Sequence, residues 1–185
     1  YQKNEIGIYE LEKLPNKWKL VDILLPNIKC VDTTFLSYKD ENYFFTFCPT
    51  FQGNNGTLLL YKYEKNKSLS EPLVITDKLG SARPGGNILK INDRLIRVSQ
   101  NNLSGYGYGL VFNEIDSLWP DYKEHMIKEI IPKDIKLDTN KDIIGVHTYN
   151  KLDDLEVIDI KFKQWSLKEY FAVKRVRKVF LNKYN

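Results

Sequence analysis

Short runs of β-branched and aromatic residues, cut by Asn, Asp, Gly and Pro, fill this chain almost from end to end. That pattern leaves little room for anything but β-structure. The runs pair across turns. Residues 6–12 and 18–24 flank Leu14-Pro15-Asn16-Lys17; 31–38 and 42–47 flank Lys39-Asp40-Glu41; 57–63 and 73–76 flank a polar Lys/Asn/Ser loop. Residues 87–91 and 95–99 flank Asn92-Asp93; 108–115 and 126–131 flank a longer loop with Trp119-Pro120; 143–149 and 155–161 flank Leu152-Asp153-Asp154. The sequence predicts six hairpins of two short strands each, an all-β chain.

Two kinds of hairpin take turns. One joins very apolar strands through a short Asn/Asp turn; the other carries more charge and a longer link. The short turns centre near Asp40, Asp93 and Asp153, 53 and 60 residues apart, close to the ~50-residue period of propeller-type repeats. A propeller blade has four antiparallel strands, an apolar inner pair and a more polar outer pair. A β-sandwich also uses many short strands but does not explain the alternation. A β-propeller over residues 1–165 is therefore expected, opening on an outer hairpin and closing on an inner one. That phase amounts to about three blades. Since propellers have about four to eight, one or two blades are expected to be missing on the N-terminal side. A chain that opens on Tyr1 rather than Met reads as a piece of a longer product.

Residues 166–185 differ. Tyr170, Phe171, Val173, Val176, Val179 and Phe180 recur at helical spacing among Lys174, Arg175, Arg177, Lys178 and Lys183. The spacing predicts a basic amphipathic helix that either closes the domain or lies on an anionic membrane surface.

Composition excludes several classes. Net charge is +4, spread along the chain, which does not suggest a nucleic-acid partner. No apolar run reaches the ~20 residues of a membrane span and no leader opens the chain, so a cytoplasmic setting is expected. Cys30 and Cys48 lack metal-ligand spacing, and with only His125 and His147 they make no zinc site. A bridge between them is geometrically conceivable, but two reduced thiols are the simpler expectation. Neither a P-loop, a dinucleotide fingerprint nor a metal-binding Asp dyad appears; Asp153-Asp154 is turn chemistry. No cofactor or metal is expected.

Chemistry concentrates in Gly80-Ser81-Ala82-Arg83-Pro84-Gly85-Gly86-Asn87, followed by Arg97-Val98-Ser99-Gln100-Asn101 and Gly105-Tyr106-Gly107-Tyr108-Gly109. Glycines permit close backbone approach, and an arginine forks onto a carboxylate, phosphate or hydroxyl pair. Planar polar groups beside aromatic rings line carbohydrate pockets. On this reading Arg83, Gly85, Gly86, Arg97, Gln100, Tyr106 and His147 bind substrate. The structural alternative stands beside it: glycines as bulges, arginine paired with a neighbouring carboxylate, tyrosines and His147 in the core.

The string Ala82-Arg83-Pro84-Gly85-Gly86, Arg97, Ser99-Gln100, Tyr106-Gly107, His147-Thr148 and Glu156-Val157-Ile158-Asp159 resembles the β-propeller domain of plant glucosamine inositolphosphorylceramide transferases. That domain also occurs beside bacterial formyltransferase-like domains and is similar to the five-bladed propellers of arabinanase- and xylosidase-type glycoside hydrolases. The resemblance runs from about Val31 to Asp159. It implies a five-bladed ring, a glycan or sugar-containing substrate, and an accessory role beside a transferase domain on this or another chain. It also implies a channel carboxylate at Asp32, the candidate catalytic residue if the chain is a hydrolase. Where the family pattern continues its Gln with Asp, this chain reads Gln100-Asn101, and an Asn transfers no proton. No convincing pair of carboxylates emerges. A non-catalytic interaction platform is the third option.

Overall fold

The computed structural model describes residues 4–51, 56–64, 69–139, 141–163 and 177–181. Its regular structure is extended apart from 3-10 geometry at Phe51 and at Pro132–Asp134. Strands β1 (Ile6–Lys13) and β2 (Lys17–Leu25) form one hairpin. Strands β3 (Val31–Tyr38), β4 (Glu41–Cys48), β5 (Thr57–Tyr63) and β6 (Leu73–Thr76) form a four-stranded antiparallel meander. A second meander follows from β7 (Leu89–Ile91), β8 (Arg94–Asn101), β9 (Gly109–Ser117) and β10 (Lys123–Ile130). Strands β11 (Ile143–Leu152), β12 (Leu155–Phe162) and β13 (Arg177–Leu181) make the last sheet. The chain falls into two compact units, Tyr1–Asp77 and Lys78–Asn185, divided between the two meanders.

The turns explain the pairing. Tyr38 faces Glu41, Ile91 faces Arg94 and Leu152 faces Leu155, so each apolar hairpin closes on two residues. Lys39, Asp40, Asn92, Asp93 and Asp153 all have positive φ, the conformation that lets a two-residue turn follow the twist of its strands and that Asn and Asp tolerate best. Each such hairpin also carries extra residues in its first strand. Register shifts between Val31 and Thr34, at Asp32, and between Val146 and Thr148, at His147. Residues Arg83 to Gly85 pair with the far half of β8 through a Pro84–Ser99 bridge, and the bulge from Gly86 to Ile88 separates them from β7. Repetition of turn and bulge identifies three copies of one hairpin design.

In the first unit Ile6, Ile8, Leu24 and Leu25 of the β1–β2 hairpin pack with Cys30, Phe44, Cys48, Leu59 and Tyr61. Cys30 and Cys48 are joined by a disulfide, so the expectation of reduced thiols is corrected. The register places them together: Val31 faces Phe47, and the residues next outward are the two cysteines. In the second unit Leu89, Ile96, Val98, Leu110 and Phe112 of one sheet pack on Val146, Ile158 and Ile160 of the other. Strand β8 is buried on both faces, including Arg97 at 1 % exposure.

The C-terminal helix is also corrected. Arg177 to Leu181 pair with Asp159 to Leu155 as an antiparallel strand. A backbone segment beside the open edge of β12 gains a ladder of hydrogen bonds there, which outweighs the helical spacing of its apolar residues. The rest of the expected helix, 166–176 and 182–185, lies outside the described residues. No helix among the described residues is long and apolar enough to cross a membrane.

Candidate functional site

Three of the residues singled out from sequence, Arg83, Tyr106 and His147, meet on one side of the second unit. Arg83 lies just before the bulged approach to β7, Tyr106 in the loop from β8 to β9, and His147 on the bulge of β11. The Arg83 guanidinium carbon sits 5.2 Å from the centre of the Tyr106 ring, a cation–π contact. The same ring lies 4.9 Å from the His147 imidazole, tilted by 55°. Tyr106 nonetheless keeps 57 % of its surface exposed. An exposed ring flanked by two planar polar groups forms a platform.

The β8–β9 loop is built to present that ring. Gly105 NH donates to Asn102 O, Tyr108 NH to Gly105 O, and Gly107 NH to the Asn102 side chain at 2.8 Å. Gly107 has φ +69, and a side chain there would press on the His147 ring. The loop is tied to β11 by the bond from Val146 NH to Tyr108 O.

His147 is oriented by a residue the sequence reading did not assign to the site. Its Nδ1 lies 3.3 Å from an Asp159 carboxylate oxygen. A carboxylate only accepts, so Nδ1–H donates in this pair. Nε2 is buried, and among the described residues nothing hydrogen-bonds it. The signal for Asp159 was present in the turn. Counting back from Leu152 facing Leu155 sets Asp159 opposite Thr148, beside the bulged His147.

The other predicted binders have structural roles. Arg97 Nε and Nη2 donate to both oxygens of Glu124 at 2.8 and 2.6 Å, and Nη1 donates to the Ser81 carbonyl at 2.9 Å. Tyr122 OH donates to the same carboxylate at 2.7 Å. Burial works to lower the Arg97 pKa, but the bond and charge of Glu124 hold it above the ordinary arginine value. Burial drives the Tyr122 pKa well above the usual phenol value. With its guanidinium engaged and covered, Arg97 is a strut. Gln100, 1 % exposed, donates to the Pro84 carbonyl at 2.8 Å and holds the Arg83–Gly85 segment on β8.

Gly85 and Gly86 serve close approach of backbone to backbone. Gly85 NH donates to Val98 O and its carbonyl accepts from Tyr149 NH. Gly86 has φ +153, and a Cβ there would overlap the Tyr149 carbonyl. The neighbouring Asn87 completes the seam, exchanging bonds with Asn150 and Lys151 of β11. The glycines thus set the platform's position instead of lining it.

Asp32 belongs to the first unit. It is exposed, at φ +53, on the β3 bulge. Its neighbour Thr33 shares a 2.8 Å hydrogen bond with buried Thr46. A separate polar cluster lies on the second meander: Arg94 forks onto Glu114, and His125 Nδ1 lies 2.9 Å from Asp116. The Arg94 bonds lower the Glu114 pKa, and the Asp116 bond raises that of His125. Among the described residues no group of three or more His, Cys, Asp and Glu is placed to hold a metal ion. Comparison with family models, curated proteins and solved structures gives no match to the chain.

Proposed function

We propose that this chain is a carbohydrate-recognising part of a β-propeller, accessory to a glycan-modifying transferase of the glycosyl or formyl type. The ring reading is supported by two successive four-stranded antiparallel meanders, the two-stranded sheet before them and the repeated turn-and-bulge design of β3, β7 and β11. The accessory role rests on the resemblance carried by Arg83-Pro84-Gly85-Gly86 and Tyr106-Gly107.

One observation carries the binding reading: the Tyr106 ring, more than half exposed, is held between Arg83 and His147 on a hydrogen-bonded loop. An aromatic face covers the C–H side of a sugar ring, while guanidinium and imidazole reach hydroxyls at its rim. Hydrolysis has less support. It ordinarily needs two carboxylates flanking the bond, and the cluster contains Asp159 alone, engaged by His147. The Cys30–Cys48 bridge favours an oxidising compartment over the cytosol.

Screening the chain on an array of immobilised oligosaccharides tests the reading. Saturable binding to one glycan class is expected, weakened ~10-fold or more by Tyr106→Ala or Arg83→Ala, as for a central anchor, and kept by Asp32→Asn. Absence of any glycan ligand, or binding indifferent to Tyr106→Ala, overturns it.

A further inference from the structure

The pattern Asn-x-Ser/Thr occurs at Asn55-Gly56-Thr57, Asn66-Lys67-Ser68 and Asn102-Leu103-Ser104. It is the acceptor pattern for N-linked glycosylation, and short enough to recur by chance, so its setting decides. Asn55 and all of the second site lie outside the described residues, and Thr57 is fully buried in β5. The third site lies on a turn of the β8–β9 loop, where Leu103 is 70 % exposed and Ser104 is exposed beside it.

Asn102 is held in an orientation that suits modification. Its Oδ1 accepts from Gly107 NH at 2.8 Å, and that bond fixes which end of the amide is oxygen. Among the described residues Nδ2 has no hydrogen-bond partner, and it is not one of the buried unpaired polar atoms, so it reaches solvent. An N-linked sugar leaves the amide its Oδ1, so attachment at Nδ2 keeps the loop's bond to Gly107. A separate observation comes from the first unit. The Cys30–Cys48 disulfide marks an oxidising compartment, and the secretory lumen is one that also glycosylates asparagine.

We propose that Asn102 carries an N-linked glycan. In the transfer Nδ2 attacks the anomeric carbon of an oligosaccharide borne on a lipid pyrophosphate. The carbon–nitrogen bond forms, the bond from that carbon to the phosphate oxygen breaks, Nδ2 gives up one proton and the lipid pyrophosphate leaves. The modification does not depend on Tyr106 binding a ligand.

Secretion of the 185-residue chain from cultured insect or mammalian cells, behind a cleavable leader, tests this. Peptide-N-glycosidase is expected to speed the migration of the secreted protein on a denaturing gel, and peptide mass mapping to show Asn102 converted to Asp by the enzyme. Ser104→Ala removes the Asn102 glycan and Ser104→Thr keeps it, with the circular dichroism spectrum of both unchanged. A secreted, disulfide-bonded chain unmodified at Asn102, a glycan confined to Asn55 or Asn66, or an Asn102 glycan that survives Ser104→Ala overturns the proposal. So does a chain retained in the cells with Cys30 and Cys48 as free thiols, which removes the oxidising compartment.

Discussion

Arg83 and Arg97 come from the same Arg-Pro-Gly-Gly…Arg string and lie on either side of one strand pairing, yet the fold uses them in opposite ways. Arg97 is centred in β8 between Ile96 and Val98, with a bidentate carboxylate and a carbonyl on its guanidinium. Arg83 is half-buried at the surface with its guanidinium over an exposed ring. A charge in a dry interior must be fully paired or it unfolds the protein. Arg83 instead lies at the surface, over an exposed ring, where the proposed binding reading uses it. Residue type did not separate the two roles; burial did.

The sharpest way to break this contrast is to unpair Arg97. Glu124→Gln leaves a buried cation without its counter-charge and is expected to cost about 3–5 kcal/mol in urea denaturation, whereas Arg83→Ala is expected to cost under ~1 kcal/mol. Equal losses would put both arginines in one class. Next in size is the bridge: Cys30→Ser with Cys48→Ser is expected to lower stability by about 3 kcal/mol, the effect of a loop of this length. Gly86→Ala forces the bulge off the Tyr149 carbonyl and is expected to cost roughly 1–3 kcal/mol. It is also expected to weaken the proposed glycan binding, because the same seam positions the platform.

The smallest effect is that of pH on the outer cluster of the second meander. Asp116 raises the pKa of His125 in the folded state, so this pair's contribution is complete below the unfolded value of 6.5 and is lost as pH rises through the higher folded value. Glu114 runs the other way. The Arg94 bonds lower its pKa, so its contribution is present above 4.5 and lost as pH falls through the lower folded value. Urea midpoints of His125→Gln are expected to lose the decline above 6.5 and keep the one in acid. Both declines unchanged would show that the pair contributes nothing.

All twelve strands of the six hairpins were legible, because alternating β-branched runs between Asn/Asp turns have few other ways to fold. The sites were less so, for two physical reasons. Single bulges displace the register: one extra residue at Asp32 brings Cys30 opposite Cys48, and one at His147 sets that ring beside Asp159. Counting from the turn misses the cysteine pairing by one position; it places Asp159 opposite Thr148 but does not show the bulged His147 ring turning toward it. Arg97 also finds its carboxylate on β10, two strands away across β9, where shifts on both sides of Glu124 to Met126 hide the pairing. Its setting between apolar neighbours was the available sign of burial. The segment Arg177 to Leu181 was read by its own periodicity, and an open sheet edge decided otherwise.

Side-chain NMR of the protein titrated with its best array glycan compares the two arginines most directly. The account predicts that the Tyr106 ring, the His147 imidazole and the Arg83 Nε–H resonances move together and saturate together, while Arg97 Nε–H stays fixed. Shifts confined to residues outside this cluster, or an Arg97 signal that moves with the ligand while Arg83 does not, would contradict it.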